Sequence, residues 1–172
     1  MKRILLTACL LAMTYTMTWA QEQQRELVMQ LRVTLGAARD VGKIWRDEGH
    51  TETARRVVIP ITGGTFEGPR IKGTILPGGA DYQLVSADGN RTELDAIYEI
   101  RTDDGILIHV RNRGAIVNTT DADGRRTTTF RTTPQFEVDI DSPYAWLTTG
   151  QYTCEPDFSQ AFAGIVLNVY LK

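Results

Sequence analysis

From Leu27 onward the chain alternates. Leu27, Met29, Leu31, Val33 and Leu35 fall on one side, with Gln30, Arg32 and Thr34 on the other, the period of two that a half-buried strand requires. The same period returns at the far end, where Ile165, Leu167, Val169 and Leu171 share one face. Between them, alternating or β-branched runs predict strands over Val57–Ile61, Asp81–Ser86, Ala96–Thr102, Ile106–Asn112, Thr127–Thr132 and Gln135–Ile140. Pro60 lacks the amide proton of a central strand residue, so it suits an edge or a bulge. Residues 36–53 lose the period and collect Gly, Asp, Glu and Lys. They predict a long loop with a helical turn near Ile44 and Trp45, and any other helix is expected only in the segment Pro156 to Ala163.

Turn residues interrupt this pattern at short intervals: Gly63-Gly64, Gly68-Pro69, Pro77-Gly78-Gly79, Asp88-Gly89, Asp103-Asp104-Gly105 and Asp123-Gly124. Many short strands with hairpin signals and no long helical period indicate an all-β protein, a sandwich or an antiparallel barrel. The repeated glycine bends favour the barrel, since they help a sheet curve and closure removes its edges.

The first twenty residues belong to a different pattern. Lys2 and Arg3 precede an apolar stretch from Ile4 to Met13, and Thr18-Trp19-Ala20 leads into Gln21-Glu22-Gln23-Gln24, the three-part layout of a secretory leader. The expectation is a cleaved signal peptide over residues 1–20, a single barrel domain over 21–172 and a periplasmic or secreted product. Cleavage and acylation at Cys9 is the alternative, although the apolar run continues past it. Removing 20 of the 172 residues leaves 152 and takes Lys2 and Arg3 away, so 17 basic residues face 21 acidic ones, a net of −4. That balance offers no nucleic-acid footprint, and nothing in the mature segment suggests stable membrane insertion. Cys154 is left as the single mature cysteine, expected as a buried, inert thiol.

Several quoted segments carry a resemblance: Val58-Ile59-Pro60-Ile61-Thr62-Gly63-Gly64-Thr65-Phe66-Glu67-Gly68-Pro69-Arg70-Ile71-Lys72-Gly73, then Pro77-Gly78-Gly79-Ala80-Asp81-Tyr82-Gln83, Thr102-Asp103-Asp104-Gly105, Phe130-Arg131-Thr132-Thr133-Pro134-Gln135-Phe136-Glu137 and Tyr144-Ala145-Trp146-Leu147. Together they resemble the domain-of-unknown-function family thirty-two thirty-seven over nearly the whole mature chain. The resemblance implies a small β-barrel of the calycin-like or allene-oxide-cyclase-like kind, and it implies no settled activity.

The familiar site patterns fail. Lys72 precedes the second glycine of Gly68–Thr74, which is the wrong order for a phosphate loop. His50 and His109 stand on different elements without metal-ligand spacing, so neither a metal nor an organic cofactor is expected. His109 alternates with Leu107 and Arg111 opposite Ile108 and Val110, the pattern of a half-exposed strand residue. The candidate chemistry is therefore carboxylate chemistry: Asp81, Glu67 and Arg70 as catalytic residues, with Gln83, Asp104, Arg131, Tyr82 and Trp146 as ligand contacts. If Asp81 and Gln83 point into a barrel, a desolvated carboxylate there is suited to proton transfer, and Arg70 or Arg131 could hold an anionic oxygen. Structural roles compete at each position: Asp81 as a turn cap, Asp104 as a hairpin residue, Glu67 with Arg70 as an ion pair. Phe66, Tyr82, Tyr98, Phe130, Phe136 and Trp146 are candidates to wall an apolar cavity. Two functions follow. One is a cofactor-independent isomerase, cyclase or lyase acting on a small, oxygenated, largely apolar compound; the other is a non-catalytic binding protein for such a ligand. A homodimer is compatible with the expected surface, and no sequence feature specifies its interface.

Overall fold

Strand β1 (Leu27–Leu35) sends Met29, Leu31 and Val33 inward, each under 4% exposed, because alternate side chains of a strand leave opposite faces. The computed structural model describes residues 25–172, so the leader expected over residues 1–20 lies outside the described residues. Nine further strands follow: β2 (Arg39–Trp45), β3 (Thr53–Glu67), β4 (Lys72–Ile75), β5 (Ala80–Ser86), β6 (Arg91–Thr102), β7 (Leu107–Thr120), β8 (Arg126–Glu137), β9 (Tyr152–Pro156) and β10 (Ile165–Leu171). A single 3₁₀ turn, Ala145–Thr148, interrupts them between β8 and β9.

All pairings are antiparallel, and β1 bonds to both β10 and β3, which closes the sheet. Strands β4 and β5 share one position, since both lie between β3 and β6. Strands β1 and β2 likewise follow one another along β3, with β1 against Ile61–Glu67 and β2 against Thr53–Val58. The result is an all-β, closed, eight-position antiparallel barrel. Pro60 sits where β1 gives way to β2, so its missing amide proton costs no ladder bond there, while its carbonyl accepts from Gly36 N–H at 2.8 Å. Gly64 makes the bend of β3 possible. Its φ is +136°, and a Cβ there would stand 2.0 Å from the Arg32 carbonyl oxygen.

The barrel is filled at one end and hollow at the other. Met29, Leu31, Phe66, Ile75, Ile100, Ile108, Val110, Leu147, Tyr152 and Val169 pack into the filled base, where the rings of Phe136 and Tyr152 meet edge to face at 5.2 Å. Toward the other end, β3, β5, β6, β7 and β8 run on past the end of β9 at Pro156 and the start of β10 at Ile165. This leaves one high wall and one low rim.

The structure changes several sequence expectations. Residues 36–53 contain a strand, β2, rather than one long loop; a register shift between Asp40 and Gly42, with Gly42 at φ +95°, breaks the period of two that would have revealed it. The runs 127–132 and 135–140 form one strand, β8, because Pro134 needs no donor where it faces Asn112, and Ile140 lies beyond its end, 82% exposed. The helical turn falls at Ala145–Thr148, not in residues 36–53 or 156–163, and neither β4 nor β9, which carries Cys154, had a strand assigned to it.

Candidate active site in the open half of the barrel

The inner faces of β5, β6, β7 and β8 place their side chains in rows across the sheet. One row runs Ile59, Asp81, Ala96, Asn112, Pro134. A second, nearer the rim, includes Leu94, Gly114, Thr132 and Cys154. A third, deeper, includes Tyr98, Val110 and Phe136. Ala96 is small, and space opens above it. The cavity there measures about 170 Å³ and is bounded by Asp81, Gln83, Tyr98, Asn112 and Thr132 within a wall of aliphatic residues and Phe130. A dry cavity of roughly 150 Å³ is large enough for a benzene ring.

Asp81 is the only charged residue among those lining the cavity. Its Oδ2 accepts from Gln83 Nε2 at 2.7 Å and its Oδ1 from the Asp95 backbone N–H at 3.0 Å. Taking that amide has a structural consequence, for the β5–β6 pairing runs from Asp81 with Ala96 directly to Leu84 with Glu93. The intervening carbonyls of Tyr82 and Gln83 face the Arg56 guanidinium instead, at 3.1 and 3.4 Å. Burial pushes the Asp81 carboxyl above the usual carboxylate range; the two hydrogen bonds oppose that shift, and the nearby Asp95 charge adds to it. The Asp95 side chain itself turns away to Arg111, 2.7 Å distant, whose hydrogen bond holds the Asp95 carboxyl low.

The other polar groups in and beside the cavity are neutral. Tyr98 is 5% exposed, and burial raises its hydroxyl pKa so that it keeps its proton. Asn112 is equally buried; its Nδ2 lies 3.7 Å from Cys154 Sγ, while Oδ1 has no hydrogen-bond partner. Leaving such an acceptor unmatched costs about 1–3 kcal/mol. Cys154 is fully buried, with its thiol pushed up to about 11 by desolvation, so it stays protonated. Thr132 donates to the Cys154 carbonyl at 3.4 Å. Among the described residues no group of three His, Cys, Asp or Glu side chains is placed to hold a metal ion.

Tyr98 and Phe130, expected among the wall aromatics, line this cavity, and of the eight candidate catalytic and ligand-contact residues the structure brings Asp81 and Gln83 together in it. The other six of those eight are elsewhere. Glu67 lies eight residues beyond Ile59 on β3, opposite Lys72, a distance of roughly 25 Å at strand rise. Arg70 follows it through the Gly68-Pro69 reversal and stacks over the Trp146 ring at 4.2 Å, at the base. Asp104 accepts from the Tyr144 hydroxyl at 3.0 Å, and hydrogen bonds from Thr102 and Tyr144 hold its carboxyl low. Arg131 points outward from β8 to Glu155 at 3.0 Å, and Tyr82 is 43% exposed on the outer face. Asn112 and Thr132 were missed. Asn112 continues the inward parity of Ile108 and Val110, so a polar residue on an otherwise apolar stripe was the available signal.

A UPF0311 protein of Clostridium acetobutylicum is 36% identical over 109 residues, covering 58% of this chain and 68% of that protein. A β-barrel-like protein of Acinetobacter baumannii superposes with a TM-score of 0.69 at 31% identity, over 86% of this chain and 94% of its own. An enzyme of Penicillium herquei superposes with a TM-score of 0.61 over 87% of this chain and 94% of its own; at 21% identity the likeness is one of fold. The family described as protein of unknown function DUF3237 matches residues 24–171, and with nearly the whole barrel inside that match the chain belongs to this family.

Proposed function

We propose that the barrel encloses a small, uncharged, oxygenated and largely apolar compound, and that Asp81 acts on it as a general base and acid in an isomerisation, cyclisation or elimination. The observation that carries this reading is the environment of Asp81, a lone carboxylate set among aliphatic side chains and kept in place by Gln83 and the Asp95 amide. Such a group is a stronger base than a solvated carboxylate and takes its proton back more readily. No lining residue is cationic, so a carboxylate or phosphate ligand would meet Asp81 without compensation. Negative charge developing on a carbonyl oxygen would have to be met by a neutral donor, with the protonated Tyr98 hydroxyl as the candidate.

The test is α-hydrogen exchange of cyclohexanone in deuterated water, followed by proton NMR. The carboxylate takes a proton from carbon, the electron pair moves to the carbonyl oxygen, and a deuteron returns from exchanged Asp81. Exchange above the buffer rate that disappears in Asp81→Asn supports the enzyme. Binding without exchange supports the second reading, a non-catalytic carrier of the same ligand class, which the mainly aliphatic wall also suits. Failure of cyclohexanone to perturb any cavity residue counts against both.

The leader pattern of residues 1–20 supports a site of action outside the cytoplasm. The intact mass of the exported protein should correspond to a chain starting at Gln21; a mass that retains Met1–Ala20, or a lipid on Cys9, would refute this.

A further inference from the structure

Resting on the enclosed-ligand reading above, we propose that the ligand is longer than the ring the cavity can hold: it carries an apolar substituent that leaves the cavity over Ile116 and Phe130 and lies in the groove beside Phe158, at the free edge of β8. The size of the cavity starts the argument. A space of about 170 Å³ is filled by a single ring, so any further part of a ligand seated against Asp81 lies outside it. The register shows where the outside begins. Thr92, Ile116 and Phe130 form a row across β6, β7 and β8, and Ile116 stands four residues rimward of Asn112 in the Asp81 row, roughly 13 Å at strand rise.

A break in the wall meets that row. Strand β8 pairs with β9 only at Thr132 and Cys154, and β9 ends at Pro156, so rimward of Thr132 this edge of β8 faces no strand. A groove occupies the gap. It is bordered by Ile116 and Phe130, which also line the cavity, and by Pro156 and Phe158, so the two spaces meet at one pair of apolar side chains. Phe158 is 79% exposed, and the connection that carries it is tied down. Ser159 N–H and Oγ donate to Asp157 Oδ1 at 3.0 and 2.5 Å, Gln160 Nε2 donates to Asp157 Oδ2 at 2.7 Å, and the Arg32 guanidinium donates to Gln160. The charged residues of the groove, Arg131 and Glu155, are paired with each other at 3.0 Å. What remains for an occupant to touch is mainly apolar, which suits an uncharged hydrocarbon chain.

The experiment compares methylcyclohexanone with pentylcyclohexanone, each substituted opposite the carbonyl, so that ring and ketone are shared and only the chain differs. Dissociation constants are measured by NMR titration of the whole mature protein, the wild type alongside Phe158→Ser. In the wild type the pentyl compound should bind about tenfold tighter, less than full burial of the added methylenes would give because the groove is open on one side. In Phe158→Ser that advantage should fall about threefold, while the methyl compound binds as before. An advantage that is absent in the wild type, or unchanged in Phe158→Ser, overturns the proposal. So does an equal loss for both compounds, which would place Phe158 on the ring and not on the chain. If methylcyclohexanone shifts no cavity residue in the wild type, the enclosed-ligand reading fails and takes this inference with it; if it binds and the chain adds nothing, only this inference fails. Should Phe158→Ser not fold, the wild type still decides. The terminal methyl of the pentyl chain must show nuclear Overhauser contacts to the Phe158 ring; contacts to Leu35 on β1 in their place overturn the proposal.

Discussion

Asp81 and Asn112 stand in the same cross-strand row of the barrel's inner face with only Ala96 between them. One is a carboxylate raised in pKa by burial and the other an amide with an unmatched oxygen. Each is costly to the fold, and both residues line the cavity of the open half.

Asp81→Asn should therefore stabilise the protein at neutral pH. The folded carboxyl binds its proton more tightly than the unfolded one. Its contribution is most favourable below the unfolded value, near 3.8, and is lost as pH rises through the folded value. The asparagine can still accept from the Asp95 amide and pair with Gln83. Thermal melts should show a gain of roughly 0.5–2 kcal/mol, a size common where a functional group is replaced, absent at pH 3 and growing as pH rises. A gain that is largest at pH 3 would contradict the burial account.

Gly64→Ala should be severe. At φ +136° an alanine is strained, and its Cβ would fall 2.0 Å from the Arg32 carbonyl, at the seam where β1 closes on β3. Strain alone costs about 1–3 kcal/mol, before the seam is displaced. Denaturant titration should show at least that loss; a change within 0.5 kcal/mol, the range typical of harmless surface substitutions, would mean that β3 does not bend there.

Arg70→Ala and Arg131→Ala should leave ligand affinity and exchange rate alone. Arg70 lies on Trp146 at the base and Arg131 on Glu155 outside the wall. Exposed contacts of these kinds contribute up to about 1 kcal/mol of stability. A cyclohexanone affinity that falls tenfold in either variant would place the ligand somewhere other than the Asp81 cavity.

Much of this fold was legible because alternation survives wherever one face of a strand is buried, as in β1 and β10. It was illegible where the alternation is interrupted. The Val41–Gly42 irregularity hides β2, and Pro134 within β8 reads as a break although its position opposite Asn112 tolerates it. The site was legible only locally. Asp81 and Gln83 share a strand and a parity, so their companionship follows from spacing. The gathering of Glu67 and Arg70 with them rested on nearness in sequence, and a glycine-proline reversal at the end of a fifteen-residue strand carries those two to the opposite end. Asn112 and Thr132 reach the cavity through cross-strand register, which one sequence does not state. Their polarity on inward positions was the trace left behind.

Carboxyl carbon-13 NMR of Asp81, titrated with and without cyclohexanone, tests the central claim most directly. A ketone cannot donate to a carboxylate but can accept from a carboxylic acid, and it displaces water. Filling the cavity should thus favour the protonated form further. The account predicts a midpoint above 3.8 in the free protein, a higher one with cyclohexanone present, and no comparable movement at Asp104 or Asp95. A midpoint at or below 3.8, unmoved by the ketone, would show Asp81 to be an ordinary solvated carboxylate and would contradict the account.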